Sequence, residues 1–360
     1  MTDGMHYAPT ARTLKPVCAR GDFVFAAMAL DHGHIFGMVA NLVQAGGVLK
    51  LIYDTNPKKV ELLRRQYPQA QIASSADEIL QDPDVMLVAA AAIPNQRCEL
   101  GLQVLAHGKD YFTDKTPFTS LDQLHQARQA VLTTGRKYAC CYSERLQNEA
   151  AEYALELVAG GVIGDVIQVL GLGPHRLNAP ARPDWFFRKA LYGGIICDIG
   201  SHQAEQYLAY SGATGATVTM AHAANYANPD YPELEDFGEF SVIGDNGSSG
   251  YFRMDWFTPN GLRTWGDGRT TILGSKGYIE LRKYVDIGQQ LDQPARENNV
   301  YIVTQEGEEQ HQVTGKIGFP FFGALILDCL ERTELAMSQK HCFTAAAICL
   351  QAQQMADLNR

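Results

Sequence analysis

Long apolar runs are missing from this 360-residue chain. None approaches the roughly 20 residues that a helix needs to cross a bilayer, so no membrane partner is expected. No C-x-x-C pair occurs among the eight cysteines, of which only Cys140 and Cys141 are adjacent. That spacing argues against a disulfide framework and a cysteine zinc site and leaves buried thiols. A basic excess is missing too: 30 Lys and Arg stand against 40 Asp and Glu, a formal charge of -10. Such a balance lacks the patch that neutralises a phosphate backbone, and no nucleic-acid partner is expected. The first twenty residues hold no apolar stretch of the secretory kind, so the cytoplasm is the expected compartment. Repeats and low-complexity tracts are absent. What remains, 46% hydrophobic and 19% charged, is the composition of a globular protein acting on a small molecule. Single cores rarely grow past about 250 to 300 residues, so the length predicts two domains.

The first half alternates short apolar runs with helical stretches. The runs are Phe23 to Leu30, Val48 to Tyr53, Val85 to Ala92, Asp110 to Phe112 and Lys137 to Tyr142, with amphipathic segments such as Pro57 to Tyr67 and Leu121 to Thr134 between them. This is the pattern of βαβ units around five or six parallel strands. After Tyr142 the texture changes. A helix over Asn148 to Ala159 stops at Gly160 and Gly161, and a strand follows from Asp165 to Leu172. Strands are then expected at Val218 to Tyr226, Glu239 to Val242, Gly250 to Trp256, Thr270 to Leu273, Tyr278 to Leu281 and Val300 to Val303, joined by Gly, Asn and Asp turns. A closing helix runs from about Ala345 to Asp357. The fold class is thus α/β: an N-terminal Rossmann-type parallel sheet domain, residues 1–142, followed by an α+β domain with a large, mostly antiparallel open sheet, residues 143–360.

Directly after the first apolar run comes Ala29-Leu30-Asp31-His32-Gly33-His34-Ile35-Phe36-Gly37, where a dinucleotide-binding chain would carry G-x-G-x-x-G. The chemistry there needs a tight turn, a close approach of backbone to pyrophosphate and a helix N-terminus facing the anion. Gly33 and Gly37 meet part of that need, and Asp31, His32, Gly33, His34 and Ile35 are the candidate contacts. Asp54 ends the second strand about 20 residues on, where a carboxylate accepts hydrogen bonds from ribose hydroxyls; the plain alternative is an N-cap for the helix near Pro57. Asp54 also favours NAD over NADP, since its charge would face the 2'-phosphate. His32 and His34 lie one residue apart, but no third ligand is spaced to join them, so no metal is expected.

Two further segments carry a resemblance. Thr113-Asp114-Lys115-Thr116-Pro117 follows the fifth strand, and Gly193-Gly194-Ile195-Ile196-Cys197-Asp198-Ile199-Gly200-Ser201-His202 lies downstream. The first looks like the E-K-P signature, with Asp114 in place of Glu, and the second resembles the G-G-x-x-x-D-x-G-x-H segment, of the glucose-fructose oxidoreductase, inositol dehydrogenase and rhizopine-catabolism family. Smaller echoes are Ile93-Pro94-Asn95, Gly161-Val162-Ile163-Gly164-Asp165-Val166 and Gly274-Ser275-Lys276-Gly277-Tyr278-Ile279-Glu280. In the opening loop, Ala29 and Asp31 stand where the family often has glycine.

The resemblance implies an NAD(P)-dependent dehydrogenase acting on the CH-OH group of a sugar, sugar acid or cyclitol, with NAD the expected cofactor and NADP less so. It places Ile93, Pro94, Asn95, Asp114 and Lys115 beside the cofactor. It makes His202 the general base or acid, Asp198 its partner and a substrate ligand, and Lys115 the cation at the reacting oxygen. The four-residue spacing puts Asp198 and His202 on one helix face, and Gly193-Gly194 would leave room for nicotinamide or substrate to approach. Arg145, His175, Arg176 and Trp185 supply further donors and an aromatic face for a hydroxyl-rich ligand. A homodimer or homotetramer formed through the exposed sheet face is implied as well. Two alternatives stay open: an NAD-dependent glycosidase working by transient oxidation and elimination, and a catalytically idle cofactor-binding regulator.

Overall fold

A computed structural model describes residues 3–10, 15–289 and 297–358. The chain divides into two compact units: residues 5–141 with 319–343, and residues 1–4 with 142–318 and 344–360.

The first unit is built on strands β1 (Val24–Met28), β2 (Val48–Tyr53), β3 (Gln71–Ile72), β4 (Leu87–Ala90), β5 (Asp110–Asp114) and β6 (Tyr138–Cys141). They form one sheet in the order β3-β2-β1-β4-β5-β6, and every neighbouring pair is parallel. Helices α1 (His34–Gln44), α2 (Pro57–Gln66), α3 (Ala76–Gln81), α4 (Arg97–Ala106) and α5 (Leu121–Thr134) connect the strands. Strands β4 and β5 are buried at every residue, as expected for a parallel sheet covered on both faces. Local sequence sets the helix limits. Asn56, Ser75 and Ser120 each accept a backbone N–H in the first turn of the helix they precede, and Gly135 ends α5 in the left-handed region at φ 64°. Strand order reverses between β1 and β4, the point at which open α/β sheets take ligands at the carboxyl ends of their strands.

The second unit opens with α6 (Ser143–Leu146) and α7 (Glu149–Ala159), the latter capped by the Asn148 side chain. Strand β7 (Val166–Pro174) follows, then the short helices α8 (Lys189–Tyr192) and α9 (Ile195–Asp198), and α10 (Gly200–Ser211). Strands β8 (Ala216–Ala224), β9 (Phe237–Gly244), β10 (Ser249–Asp255), β11 (Arg269–Gly274), β12 (Gly277–Arg282), β13 (Asn299–Thr304) and β14 (Gly307–Gln312) complete it. The sheet runs β14-β13-β12-β11-β7-β10-β9-β8; β7 and β10 are parallel and the other pairs antiparallel.

The units differ from the two contiguous stretches 1–142 and 143–360. The chain returns after β14, so that α11 (Pro320–Glu331) and the start of α12 (Gln339–Leu358) belong to the first unit. There Phe321 and Phe322 pack on Phe112 of β5, and Arg332 grips both carboxylate oxygens of Asp110 at 2.7 and 2.6 Å. Strand β3 was not expected either, being two exposed residues, nor was β14, whose residues Gly-Glu-Glu-Gln-His-Gln show no apolar alternation. β1 ends at Met28 rather than Leu30 because Ala29 turns the chain at φ 53°.

Candidate active site

In the first unit the candidate residues gather at successive carboxyl ends of β2, β1, β4 and β5, which are neighbours in the sheet. The opening loop is held from both sides. The N–H groups of Asp31 and His32 both donate to Ala91 O, at 3.1 and 2.9 Å. Asp54 Oδ2 accepts the Leu30 N–H at 2.6 Å and its Oδ1 accepts the Asn56 N–H at 2.7 Å. The cap of α2 is Asn56, whose side chain accepts the Lys58 N–H, so Asp54 is a link between strand ends and not the N-cap. Ala29 occupies the left-handed conformation itself, so the turn keeps the shape a glycine would give it at a cost of about 1 to 2 kcal/mol. Asp31 Oδ1 is paired with Lys59 Nζ at 2.5 Å.

Gly33 has a different role from the one its position suggested. A Cβ there would lie 2.5 Å from Met5 O and 3.2 Å from His6 Cα; the close approach that requires glycine is that of residues 5 and 6. Ile35, on the first turn of α1, is fully buried in the core.

Asp114 joins His32 and His34 from 80 residues away, and corrects the expectation that no third group meets them. Its Oδ1 lies 2.9 Å from His34 Nδ1 and its Oδ2 lies 3.4 Å from His32 Nδ1. Arg97 Nη2 sits 3.3 Å from the same Oδ2. His32 Nδ1 accepts the His34 N–H at 3.3 Å, and Arg97 offsets the carboxylate charge. Burial alone would raise the Asp114 carboxyl, yet His34, Arg97 and His32 hold it well below the usual range. Burial, then His34, push the His32 imidazole well below its own. Arg97, which no motif signalled, also donates to Ala92 O at 2.7 Å, to Thr116 O at 3.1 Å and to Lys115 O. It thereby ties the loops after β4 and β5 together. Lys115 follows β5 as a buried side chain, 5% exposed. Ile93 precedes a 3-10 turn begun by Pro94, and among the described residues the buried Oδ1 of Asn95 has no hydrogen-bond partner.

In the second unit Asp198 ends α9 and His202 lies in the first turn of α10, with the helices parted only at Ile199. Both are buried, at 8% and 2% exposure. The helix start is built from outside: Ile195 N–H donates to Glu235 Oε2 at 2.8 Å and Ile196 N–H to Gln353 Oε1 at 3.1 Å. Gly194 serves this packing. Its φ is 94°, and a Cβ would lie 2.3 Å from the Gln353 amide, so the space expected for a ligand is filled by Gln353. Gly193 ends α8 at φ 89°.

Glu144 on α6, beside the candidate Arg145, lies at the centre of a buried group whose members Lys283, Gln203 and Gln206 sequence reasoning missed. Its Oε2 accepts Lys283 Nζ at 2.6 Å and Gln203 Nε2 at 3.1 Å, and His175 Nε2 is 3.8 Å from its Oε1. Lys283 also donates to Gln206 Oε1 at 3.1 Å, and Gln206 Nε2 donates to His202 O at 3.0 Å. Burial alone would raise the Glu144 carboxyl, but Lys283, His202 and His175 hold it down at about 2. Arg182, missed too, stacks 4.5 Å from the Phe186 ring centre and 5.1 Å from that of Trp256, within electrostatic range of Asp198.

The remaining candidates separate. His175 shares this cluster and packs 4.5 Å from Trp265, ring centre to ring centre. Arg176 is committed to the loop beyond β10, donating to Pro259 O at 3.0 Å and to Leu262 O. Trp185 is half-buried on a 3-10 turn beside Phe186. Arg145 meets Glu205 at 2.8 and 3.0 Å and Glu152 at 3.0 Å, a closed ion network that offers no group to a ligand.

With this geometry in hand, comparisons add context. Residues 152–280 match the model of the GFO/IDH/MocA C-terminal domain. A protein from Erwinia carotovora atroseptica, classed provisionally as an oxidoreductase, is 47% identical, with a TM-score of 0.89 over 93% of this chain and 98% of that one. Levoglucosan dehydrogenase in complex with NADH and levoglucosan shares the fold at 16% identity, TM-score 0.77, over 94% of this chain and 98% of that one. Aldose-aldose oxidoreductase from Caulobacter crescentus, complexed with glycerol, does so at 17% and 0.74, over 94% and 98%. A search of the curated proteins gave no match.

Proposed function

The chain belongs to the Gfo/Idh/MocA family of oxidoreductases, and from that membership we propose that it transfers hydride between NAD and a secondary alcohol of a sugar, sugar acid or cyclitol. The observation that carries this reading is the row of groups at adjacent strand ends of the parallel sheet: Asp54, the start of α1, Asn95 and Lys115. These residues fit a dinucleotide. Asp54 keeps acceptor capacity for ribose hydroxyls, the α1 N-terminus favours an anion, Lys59 offsets the charge of Asp31, and the unpartnered Asn95 Oδ1 awaits a donor.

When bound, the nicotinamide supplies an acceptor for the hydride that leaves the carbinol carbon. His202 takes the proton of the reacting hydroxyl as the carbonyl forms; Lys115, by family membership, is the cation that stabilises developing negative charge. Asp198 orients the hydroxyl. A half-buried Trp185 offers an aromatic face to a hydroxyl-rich ring, and solved relatives of the fold that hold levoglucosan or glycerol support the same class. Asp54 disfavours a 2'-phosphate at contact, so NAD binds more tightly than NADP.

A homodimer or homotetramer is part of the proposal. Tyr278, Leu273 and Ile243 lie in one cross-strand row with Gln168 and Ser249 and are 39%, 41% and 46% exposed, so this sheet face carries exposed apolar side chains that a second subunit would cover. Light scattering reads the subunit number.

The test of function is a screen of sugars, cyclitols and sugar acids by absorbance of reduced nicotinamide, with NAD and NADP in parallel. Turnover with NAD on at least one polyol supports the reading. Bound NAD with no turnover across the panel overturns it.

A further inference from the structure

Glu144 and Lys283 form a buried ion pair that none of the roles above uses. Lys283 has 0% side-chain exposure and Glu144 2%. Burying two charges is expensive, and replacing such a pair by apolar residues is often neutral or favourable for stability. Its cost asks what the pair does, and the geometry gives the answer. Both hydrogen bonds to the carboxylate, from Lys283 and Gln203, fall on Oε2. Among the described residues Oε1 is buried without a hydrogen-bond partner and faces His175 Nε2 at 3.8 Å. His175 Nδ1 is 3.1 Å from Gly173 O, so in the neutral ring that nitrogen donates and the lone pair lies on Nε2, toward the carboxylate. Protonating the ring would place a positive charge 3.8 Å from Oε1. Gln206 completes the frame, accepting from Lys283 through its side-chain oxygen and donating to the His202 carbonyl.

We propose that Glu144, fixed by Lys283 and Gln203, is a positioning residue that sets the proton affinity of the imidazole pair His202 and His175. The idea deepens the dehydrogenase reading and rests on it for its catalytic consequence. In alcohol oxidation the C–H bond breaks with its electron pair leaving to the bound nicotinamide. The O–H bond breaks with its proton passing to His202, and the C=O bond forms. His202 thus gains a positive charge in a buried place, and Glu144 supplies the opposing charge there. Lys283 and Gln203 hold that carboxylate in place.

Among the described residues, charged groups near the two imidazoles include Asp198 one turn before His202, Glu144 on α6, Lys283 after β12, and Arg182, which is within electrostatic range of Asp198. Removing the Glu144 charge leaves Lys283 without its ion-pair partner, so protonation of His202 becomes harder. Removing Lys283 does the reverse. The two variants therefore move one titration in opposite directions, which a merely structural pair would not do.

The experiment is a histidine-ring NMR titration of the full chain without ligand, the His202 signal being identified by its loss in His202→Asn. The pH profile of kcat/KM on whichever polyol turns over accompanies it. In Glu144→Gln the His202 pKa is expected to fall by about 1 to 3 units, the range that one nearby charge commands, and the rising limb of the rate profile to follow. In Lys283→Met it rises, and Glu144→Asp stays near wild type. An unmoved His202 titration in folded Glu144→Gln overturns the proposal. Should that variant not fold, an unmoved or lowered value in Lys283→Met does so. The titration needs neither cofactor nor substrate, so a shifted His202 in a chain that oxidises no polyol supports the coupling and overturns the function proposed above.

Discussion

Glu144 and Arg145 are neighbours on the same short helix, both buried and both in ion networks, yet their networks are of different kinds. Around Arg145 the charges close on themselves: the guanidinium meets Glu205 through two nitrogens and Glu152 through a third, and burial notwithstanding these carboxylates raise its proton affinity. Around Glu144 one oxygen is saturated and the other is left facing an imidazole. A closed network fixes a backbone, whereas an open one has capacity left for a proton. Adjacent residues on one helix can therefore carry structure and chemistry separately.

Breaking the closed network should give the largest stability effect. Arg145→Met leaves Glu205 and Glu152 buried without their counter-charge, and urea unfolding should show a loss of about 3 to 5 kcal/mol, with the His202 titration unmoved. A loss below about 1 kcal/mol would erase the distinction between the two networks. Lys115→Met belongs to the other kind. Turnover should fall about a hundredfold to a thousandfold, as for loss of one group that stabilises charge in the transition state. Unfolding free energy and NAD affinity, read by urea titration and calorimetry, should stay close to wild type.

The open network also has its own signature in stability against pH. The folded Glu144 carboxyl is depressed from 4.5 to about 2, so its contribution is fully present above about pH 4.5 and is lost as the pH falls toward 2. On the order of 1 to 3 kcal/mol should disappear across that window. Glu144→Gln should flatten the slope there, as measured by urea unfolding at a series of pH values. The smallest effect lies outside both networks. Ala29→Gly relieves a left-handed alanine at a cost in unfolded-state entropy, for a net gain of about 0.5 to 1 kcal/mol, readable as a rise in Tm.

Much of this arrangement was legible in the sequence. Periodicity located the parallel strands and most of the antiparallel ones, and the spacing of Asp198 and His202 put them on neighbouring turns. Three things were not legible, each for a physical reason. Strand β14 and the return of α11 to the parallel sheet depend on pairings far along the chain, which local pattern does not encode. Asp114 meets His32 and His34 only because β1 and β5 end on the same edge of one sheet, so a search for ligands by sequence spacing passes over it. Lys283 follows a strand whose exposed positions alternate with buried ones, and reads there as a solvated strand end. The glycines misled in another way. Gly33 and Gly194 are required, but by Met5 and by Gln353 rather than by a ligand.

The reaction proposed for this protein is hydride transfer from a polyol carbon to nicotinamide with net oxidation. It is tested most directly by incubating the protein with NAD and a substrate polyol deuterated at the carbon to be oxidised, and weighing both products by mass spectrometry. Reduced cofactor is expected to accumulate one for one with the ketone and to carry the label. A labelled sugar product with no accumulated NADH, or reduced cofactor without deuterium, would contradict it.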